Sequence, residues 1–339
     1  MKTIVDVAKA ANVSVASVSK VFNGYSDIAD TTKDRILQIA KELDYFPNHF
    51  ASRLVKGKVD SLCVILSMFG YNTSKDEYLV GLLSGIHSEA EKHGLRVVIS
   101  TEDAVIGKGN RNYVQFCHSN KFMGFIIHGL GMSDPEISHL VESEVPCVSI
   151  DILLNGKKTV AVTTNNVRAC IEVVDLLASF GHREIAFAEG SEDSWVTLER
   201  VKGYEEGMKR HGLVPRIIQT DFSYASGYSN TRAYLLKHAE TTAFFCASDI
   251  VAAAAMAACL DLGFRVPDDI SIIGYDDLSF VSYIRPNIST VAQDFFGMGA
   301  ASVASMIDIC EGKETEKVRY IPHELKIRQS MARNKRITP

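Results

Sequence analysis

Hydrophobic positions along the chain follow two different patterns, and the change from one to the other divides it. Near the N-terminus apolar side chains recur at three- and four-residue steps: Ile4, Val7, Ala8 and Ala11, then Val18, Val21 and Phe22, then Ile36, Leu37, Ile39, Ala40 and Leu43. That spacing places each set on one face of a helix and predicts three short helices, the third from about Thr31 to Leu43 with Asp30 as its cap. Thr3 with Asp6 makes a capping-box-like start, Asn12 tolerates the left-handed geometry of a sharp turn, and Ser14 caps the second helix. From Ser61 onward, short continuous apolar runs alternate with helical stretches. Strands are predicted at Leu62–Leu66, Arg96–Ser100, Phe122–Ile127, Cys147–Ile150, Glu184–Ala188, Ile217–Thr220, Ala243–Ala247 and Ser271–Gly274. Helices are predicted at Leu79–His93, Val167–Phe180, Arg200–His211, Ser226–His238 and Ile250–Leu262. The alternation predicts parallel sheets wrapped by helices, with strands buried on both faces. Two such units, about 62–160 and 163–288, predict a bilobed body. Ligands of such sheets sit at the carboxyl ends of the strands, in the cleft.

The first two helices and their tight turn have the form of a helix-turn-helix, whose second helix enters the DNA major groove. Its outward face holds Val15, Ala16, Ser19, Lys20 and Asn23, with Ser17 near the edge. Short apolar Val15 and Ala16 suit thymine methyls, and Lys20 suits guanine or phosphate. The Ser17 and Ser19 hydroxyls suit the backbone contacts that fix register.

Charge sharpens this reading. The 339-residue chain carries 36 Lys/Arg against 41 Asp/Glu, a formal charge of −5, which by itself argues against a polyanionic partner. Residues 1–58 hold nine basic and six acidic side chains, a net of +3, and the remainder is net −8. Phosphate neutralisation needs local positive charge, so the basic end is the DNA end. Seven cysteines, at 63, 117, 147, 170, 246, 259 and 310, include no Cys-x-x-Cys pair, which predicts reduced, mostly buried thiols and neither a disulfide framework nor a zinc site. No apolar run reaches the roughly 18 residues of a membrane span, and Asp6, Lys9 and Asn12 interrupt any signal peptide, so the expectation is a cytoplasmic protein.

Three ordered stretches, Asp6-Val-Ala-Lys-Ala-Ala-Asn-Val-Ser, Ser17-Val-Ser-Lys-Val-Phe-Asn and Leu43-Asp-Tyr-Phe-Pro-Asn, closely resemble the headpiece of the LacI/GalR family of bacterial transcription regulators. The resemblance continues through Arg200-Val-Lys-Gly-Tyr, Ala247-Ser-Asp-Ile-Val-Ala, Gly263-Phe-Arg-Val-Pro-Asp-Asp-Ile-Ser-Ile-Ile-Gly-Tyr-Asp-Asp and Ser289-Thr-Val-Ala-Gln-Asp, and so spans nearly the whole chain. It implies an all-α headpiece over 1–46, a hinge helix or linker over 47–59, and a periplasmic-binding-protein-like core of two doubly wound parallel-sheet lobes over 60–339. The first lobe takes about 60–162 plus 290–318 and the second about 163–289 plus 319–332, with three crossings between them. Leu54 stands where the family inserts a leucine into the minor groove, a wedge that kinks the duplex. Arg53 follows Ala51 only after an intervening Ser52, a departure from the usual pattern. The DNA-binding set is thus Thr3, Ser14, Val15, Ala16, Ser17, Ser19, Lys20, Asn23, Asn48, Ala51, Arg53 and Leu54.

In the core, Asp151, Arg200, Ser248, Asp276 and Gln293 follow or flank strands or begin a helix, where side chains project into the cleft, and match the family's effector contacts. A guanidinium fork with carboxylates and an amide suits the hydroxyl fan of a sugar, and Phe222 suits its apolar face. Tyr78 is a candidate aromatic wall, since the Gly70–Glu77 loop lacks the common Asn-Pro-Phe-Phe text. Trp195, the single tryptophan, lies near the cleft mouth, in a stacking or a packing role. The positions near Ser194 lack the extra arginine of purine-sensing relatives, which favours a carbohydrate over a nucleobase. The expectation is a homodimeric repressor of a carbohydrate operon, controlled by a sugar or sugar phosphate, with no cofactor and no metal. The alternatives are a nucleobase corepressor, a partner protein, or a solute-binding receptor on the same core. An enzyme is disfavoured, because no Gly-x-x-x-x-Gly-Lys-Ser/Thr, His-Glu-x-x-His or Gly-x-Ser-x-Gly motif is present.

Overall fold

A computed structural model describes residues 4–22, 28–43, 60–66, 76–101, 105 and 112–335. The chain divides into two compact units, Met1–Asp60 and Ser61–Pro339.

In the first unit, α1 (Ile4–Ala10), α2 (Val15–Phe22) and α3 (Asp30–Glu42) enclose a small core of Val7, Ala8, Ala11, Val18, Val21, Ile36 and Ala40. These are positions the three- and four-residue periodicity selects. Leu37 is the exception: it lies on the outer side of α3 and is 41% exposed, because one helical face cannot hold both it and Ile36 against so narrow a bundle.

The second unit holds two six-stranded sheets. The first contains β1 (Ser61–Leu66), β2 (Arg96–Thr101), β3 (Phe125–His128), β4 (Cys147–Ile150), β5 (Thr159–Thr164) and β11 (Val318–Ile321), in the order β11-β5-β4-β3-β1-β2, with every paired neighbour parallel. The second contains β6 (Ile185–Ala188), β7 (Ile217–Ile218), β8 (Ala243–Cys246), β9 (Ser271–Asp276), β10 (Ser289–Gln293) and β12 (His323–Lys326), in the order β12-β10-β9-β8-β6-β7. Here β12 pairs antiparallel with β10, a correction to the all-parallel expectation. A single antiparallel strand at the edge of an otherwise parallel sheet is a common arrangement.

The chain changes sheet after Thr164, after Gln293 and after Ile321. The first lobe therefore holds β5 whole, and β10 belongs to the second, which shifts the expected lobe limits by two to four residues. Helices cover both lobes: α4 (Asp76–Lys92), α5 (Tyr113–Asn120), α6 (Glu136–Glu142) and α11 (Phe295–Cys310) on the first, α7 (Asn166–Ser179), α8 (Trp195–Arg210), α9 (Tyr224–Leu235) and α10 (Asp249–Asp261) on the second. The α4 and α11 backbones approach so closely that a Cβ on Gly85 would lie 2.0 Å from Phe296 O, and one on Gly299 2.1 Å from Leu82 O. Side chains at either position would push the helices apart. All seven cysteines are free thiols, six of them buried. Among the described residues no helix is long and apolar enough to cross a membrane, and no His/Cys/Asp/Glu group is arranged to hold a metal ion.

Candidate DNA-reading and effector sites

Asn12 sits at φ 49°, the left-handed turn that ends α1. Ser14 then caps α2: its Oγ accepts the Ser17 N–H at 3.0 Å and lies 2.9 Å from Ser17 Oγ. Both serines are thus engaged in holding the helix start, and Ser17 is only partly exposed. Val15, at 41% exposure, and Ala16 and Lys20, also exposed, share the outward face opposite buried Val18 and Val21. The local geometry presents a short apolar pair followed one turn later by a cation. Thr3, Asn23, Asn48, Ala51, Arg53 and Leu54, together with the Ser19 side chain, lie outside the described residues.

In the core, strand ends bring the expected cleft residues together. Asp151 follows β4 at φ 61° and Asp276 ends β9 at φ 119°, both in backbone conformations that turn the chain sharply out of the sheet. Asp151 Oδ2 accepts from Tyr78 Oη at 2.9 Å and its Oδ1 from Thr163 Oγ1 at 2.6 Å. Gln293 Nε2 donates to Asp276 Oδ1 at 2.8 Å, while Thr164 Oγ1 donates to Gln293 Oε1 at 2.7 Å. Arg200, 3% exposed, donates from Nε to Asn166 Oδ1 at 2.9 Å and from Nη1 to Ala247 O at 2.5 Å. Its guanidinium carbon stacks 3.7 Å from the centre of the Tyr275 ring. Burial opposes the Arg200 charge, but Tyr275, Asp276 and Asp151 outweigh it and hold the pKa above its ordinary value. Burial pushes the Tyr78 phenol well up, and the neighbouring Asp151 carboxylate adds to the effect. The Tyr78 ring is wedged between His128 and Phe295, with centroids 4.9 and 4.5 Å away.

Phe222, at φ 66°, lays its ring directly over Gly190: a Cβ there would fall 2.0 Å from Phe222 Cζ, so only glycine fits beneath it. Ser248 is 5% exposed and caps α10 by accepting the Val251 N–H at 3.3 Å. Trp195, the first residue of α8 in the second lobe, packs against the first lobe's cluster of Cys63, Ile65 and Leu130.

Sequence reasoning missed several members of the network. Thr163, Thr164 and Asn166 lie on or just after β5, a strand not anticipated. Asp249, fully buried, accepts the Leu278 N–H at 2.8 Å and the Thr290 hydroxyl at 2.6 Å; burial and then the like charge of Asp276 raise its pKa well above the carboxylate range. The Ala247-Ser-Asp-Ile stretch carried that signal, read only for its serine. Two clasps between the lobes were also unforeseen. Asp193 accepts the Ser133 N–H and hydroxyl, each at 2.8 Å, and Glu77 accepts the Ser279 N–H at 2.8 Å and its hydroxyl. Each joins a first-lobe residue to a second-lobe residue.

Comparison with known proteins places these features in a family. Residues 3–48 match the model of bacterial regulatory proteins of the lacI family, and residues 174–331 match a periplasmic binding protein-like domain. The chain is 32% identical to the HTH-type transcriptional regulator DegA of Bacillus subtilis (strain 168), over 97% of each chain. It is 29% identical to the ribose operon repressor of Halalkalibacterium halodurans, again over 97% of each. In three dimensions it is similar to the lac repressor dimer bound to operator and the anti-inducer ONPF, with a TM-score of 0.83, 26% identity and coverage of 98% of this chain and 99% of that one.

Proposed function

The chain belongs to the lacI family of bacterial regulatory proteins, and from that premise we propose that it is a homodimeric repressor of a carbohydrate-utilisation operon, controlled by a neutral sugar in the core cleft. The observation that carries the reading is the union, in one chain, of the exposed Val15, Ala16 and Lys20 stripe with a hydrogen-bonded cleft in which Asp151, Asp276 and Gln293 are half-buried and Arg200 is buried. The stripe has the chemistry of major-groove readout. Thr3, Asn23 and the 47–59 segment, with Leu54 as minor-groove wedge, complete the DNA contacts in this reading.

The cleft's charge selects among effectors. Asp151 and Asp276 face a single buried cation, and Arg200 is already engaged by Asn166 and Ala247 O. A phosphorylated sugar would place further negative charge beside two carboxylates. Hydroxyl groups can instead donate to the carboxylates and accept from the guanidinium, with Phe222 and Tyr78 as the aromatic neighbours of the apolar ring face in this reading. Exposed Val80 on α4 and exposed Val98 and Ile99 on edge strand β2 supply apolar surface on the first lobe, which supports a dimer. Binding, without turnover, is the proposed mode of action: burial drives the Cys63, Cys117 and Cys147 thiols up to about 12, away from nucleophilic reactivity. A sugar that binds the two lobe arrangements unequally shifts their balance, and with it operator affinity.

Selection of duplexes from a random pool, followed by titration of the best sequence with and without candidate sugars, tests this reading. A specific duplex whose affinity changes with a neutral sugar supports it. Binding with no sequence preference, or detectable conversion of a bound sugar, contradicts it.

A further inference from the structure

We propose that Asn166 is the positioning residue of the cleft, aiming the Arg200 guanidinium and carrying the state of Asp151 to it where the chain first passes between the lobes. The inference deepens the reading of this cleft as the effector site and rests on it for its functional meaning.

Asn166 is 2% exposed, and its amide is used at both ends. Oδ1 accepts from Arg200 Nε and from Tyr275 Oη, each at 2.9 Å. Nδ2 donates to Thr164 O at 3.0 Å and to Thr163 Oγ1 at 3.3 Å. Ionised aspartate could only accept and lysine could only donate, so the position calls for an amide. Capping is not what holds Asn166 there. The N-cap of α7 is Asn165, whose Oδ1 accepts the Arg168 N–H at 3.1 Å.

The Thr163 hydroxyl gives the network a direction. Its one proton goes to Asp151 Oδ1 at 2.6 Å, so toward Asn166 it can act only as acceptor. Tyr78, Asp151, Thr163, Asn166 and Arg200 therefore form an unbroken hydrogen-bonded series from the first lobe to the second. A ligand hydroxyl that donates to Asp151 competes with Thr163. Once released, the threonine can rotate and withdraw its acceptor from Asn166, loosening the amide that fixes Arg200.

The test follows the Arg200 Nε–H resonance in arginine-labelled full-length protein, assigned by its disappearance in Arg200→Lys. Asp151→Asn should shift that resonance by more than its linewidth in the otherwise native chain. In Asn166→Asp, which keeps both acceptor contacts and loses both donors, the same Asp151→Asn change should shift it by less than half as much, leaving only the direct effect of the Asp151 charge. Thr163→Val should break the relay equally while leaving Asn166 native, so the outcome does not depend on one variant folding. A shift of equal size in all backgrounds would reveal a direct through-space effect and overturn the proposal, as would no shift in the native background. Neither DNA nor sugar enters the experiment, so it can fail while the regulator reading stands, or succeed if that reading fails.

Discussion

In α2 Val15, Ala16 and Lys20 stand in solvent on a helix whose opposite face is packed, whereas in the cleft Arg200 is buried, Asp151, Asp276 and Gln293 are half-buried, and each is held by hydrogen bonds to its neighbours. Val15 is 41% exposed while Arg200 is 3% exposed, and the Arg200 partner Asn166 is itself tied to Thr163 and Thr164. An exposed face of this kind can change its sequence preference with little effect on the fold. A buried network cannot, because each member satisfies another, and removal of one leaves an uncompensated polar group in a low-dielectric setting.

The largest contrast is expected from truncating one cation in each region. Arg200→Ala leaves Asn166 Oδ1 and Ala247 O short of a donor, and should cost the core about 3 kcal/mol or more in urea denaturation together with all response to sugar. Lys20→Ala should leave thermal unfolding unchanged and weaken specific operator binding about tenfold, the order of one lost base contact. Equal stability losses in the two variants would erase the distinction. Asp193→Ala sharpens it within the core by opening one clasp: losing the two bonds from Ser133 should cost about 1 kcal/mol and lower sugar affinity severalfold, measured by calorimetry. An unchanged affinity would mean that the clasp does not contribute to closure.

The smallest effect is a pH dependence confined to the core. His182 is buried, with ring nitrogens 3.0 Å from Thr242 Oγ1 and from Ala332 O, and burial lowers its pKa below the ordinary 6.5. The unfolded chain therefore binds the proton more readily. The stability His182 contributes is complete above pH 6.5 and is lost as pH falls through its lowered native value. Core stability should fall between neutrality and mild acid, and His182→Gln should flatten that slope. Residues 1–48 contain no histidine, so the headpiece should not share it.

The same contrast explains how much could be read from sequence. In the headpiece the determinants are local: Asn12 turns the chain, Ser14 caps, and Val7, Val18 and Ile36 recur at the helical period, so both fold and outward face were legible. In the core the strands rich in Val, Ile and Phe were legible, but β5 is half threonine and β12, His-Glu-Leu-Lys, is charged at an edge. Helix α11 was hidden because Gly297 and Gly299 weaken its helical signal, although the close crossing with α4 requires small residues there. Asp151, Asp276 and Gln293 could be picked out as strand-end polar groups, and Arg200 as the start of a helix that in the structure begins at Trp195, yet their partners Asn166 and Tyr275 could not. Those contacts depend on which strands the crossings bring side by side, and no local period records that.

The central claim is that cleft and headpiece are two ends of one equilibrium, and linkage makes it directly measurable. The measurement is the dissociation constant of the best-binding sugar, by calorimetry, for the protein alone and for the protein saturated with its selected operator duplex. The account predicts that operator changes sugar affinity by the same factor, different from one, by which sugar changes operator affinity. A sugar that binds identically with and without operator would contradict it.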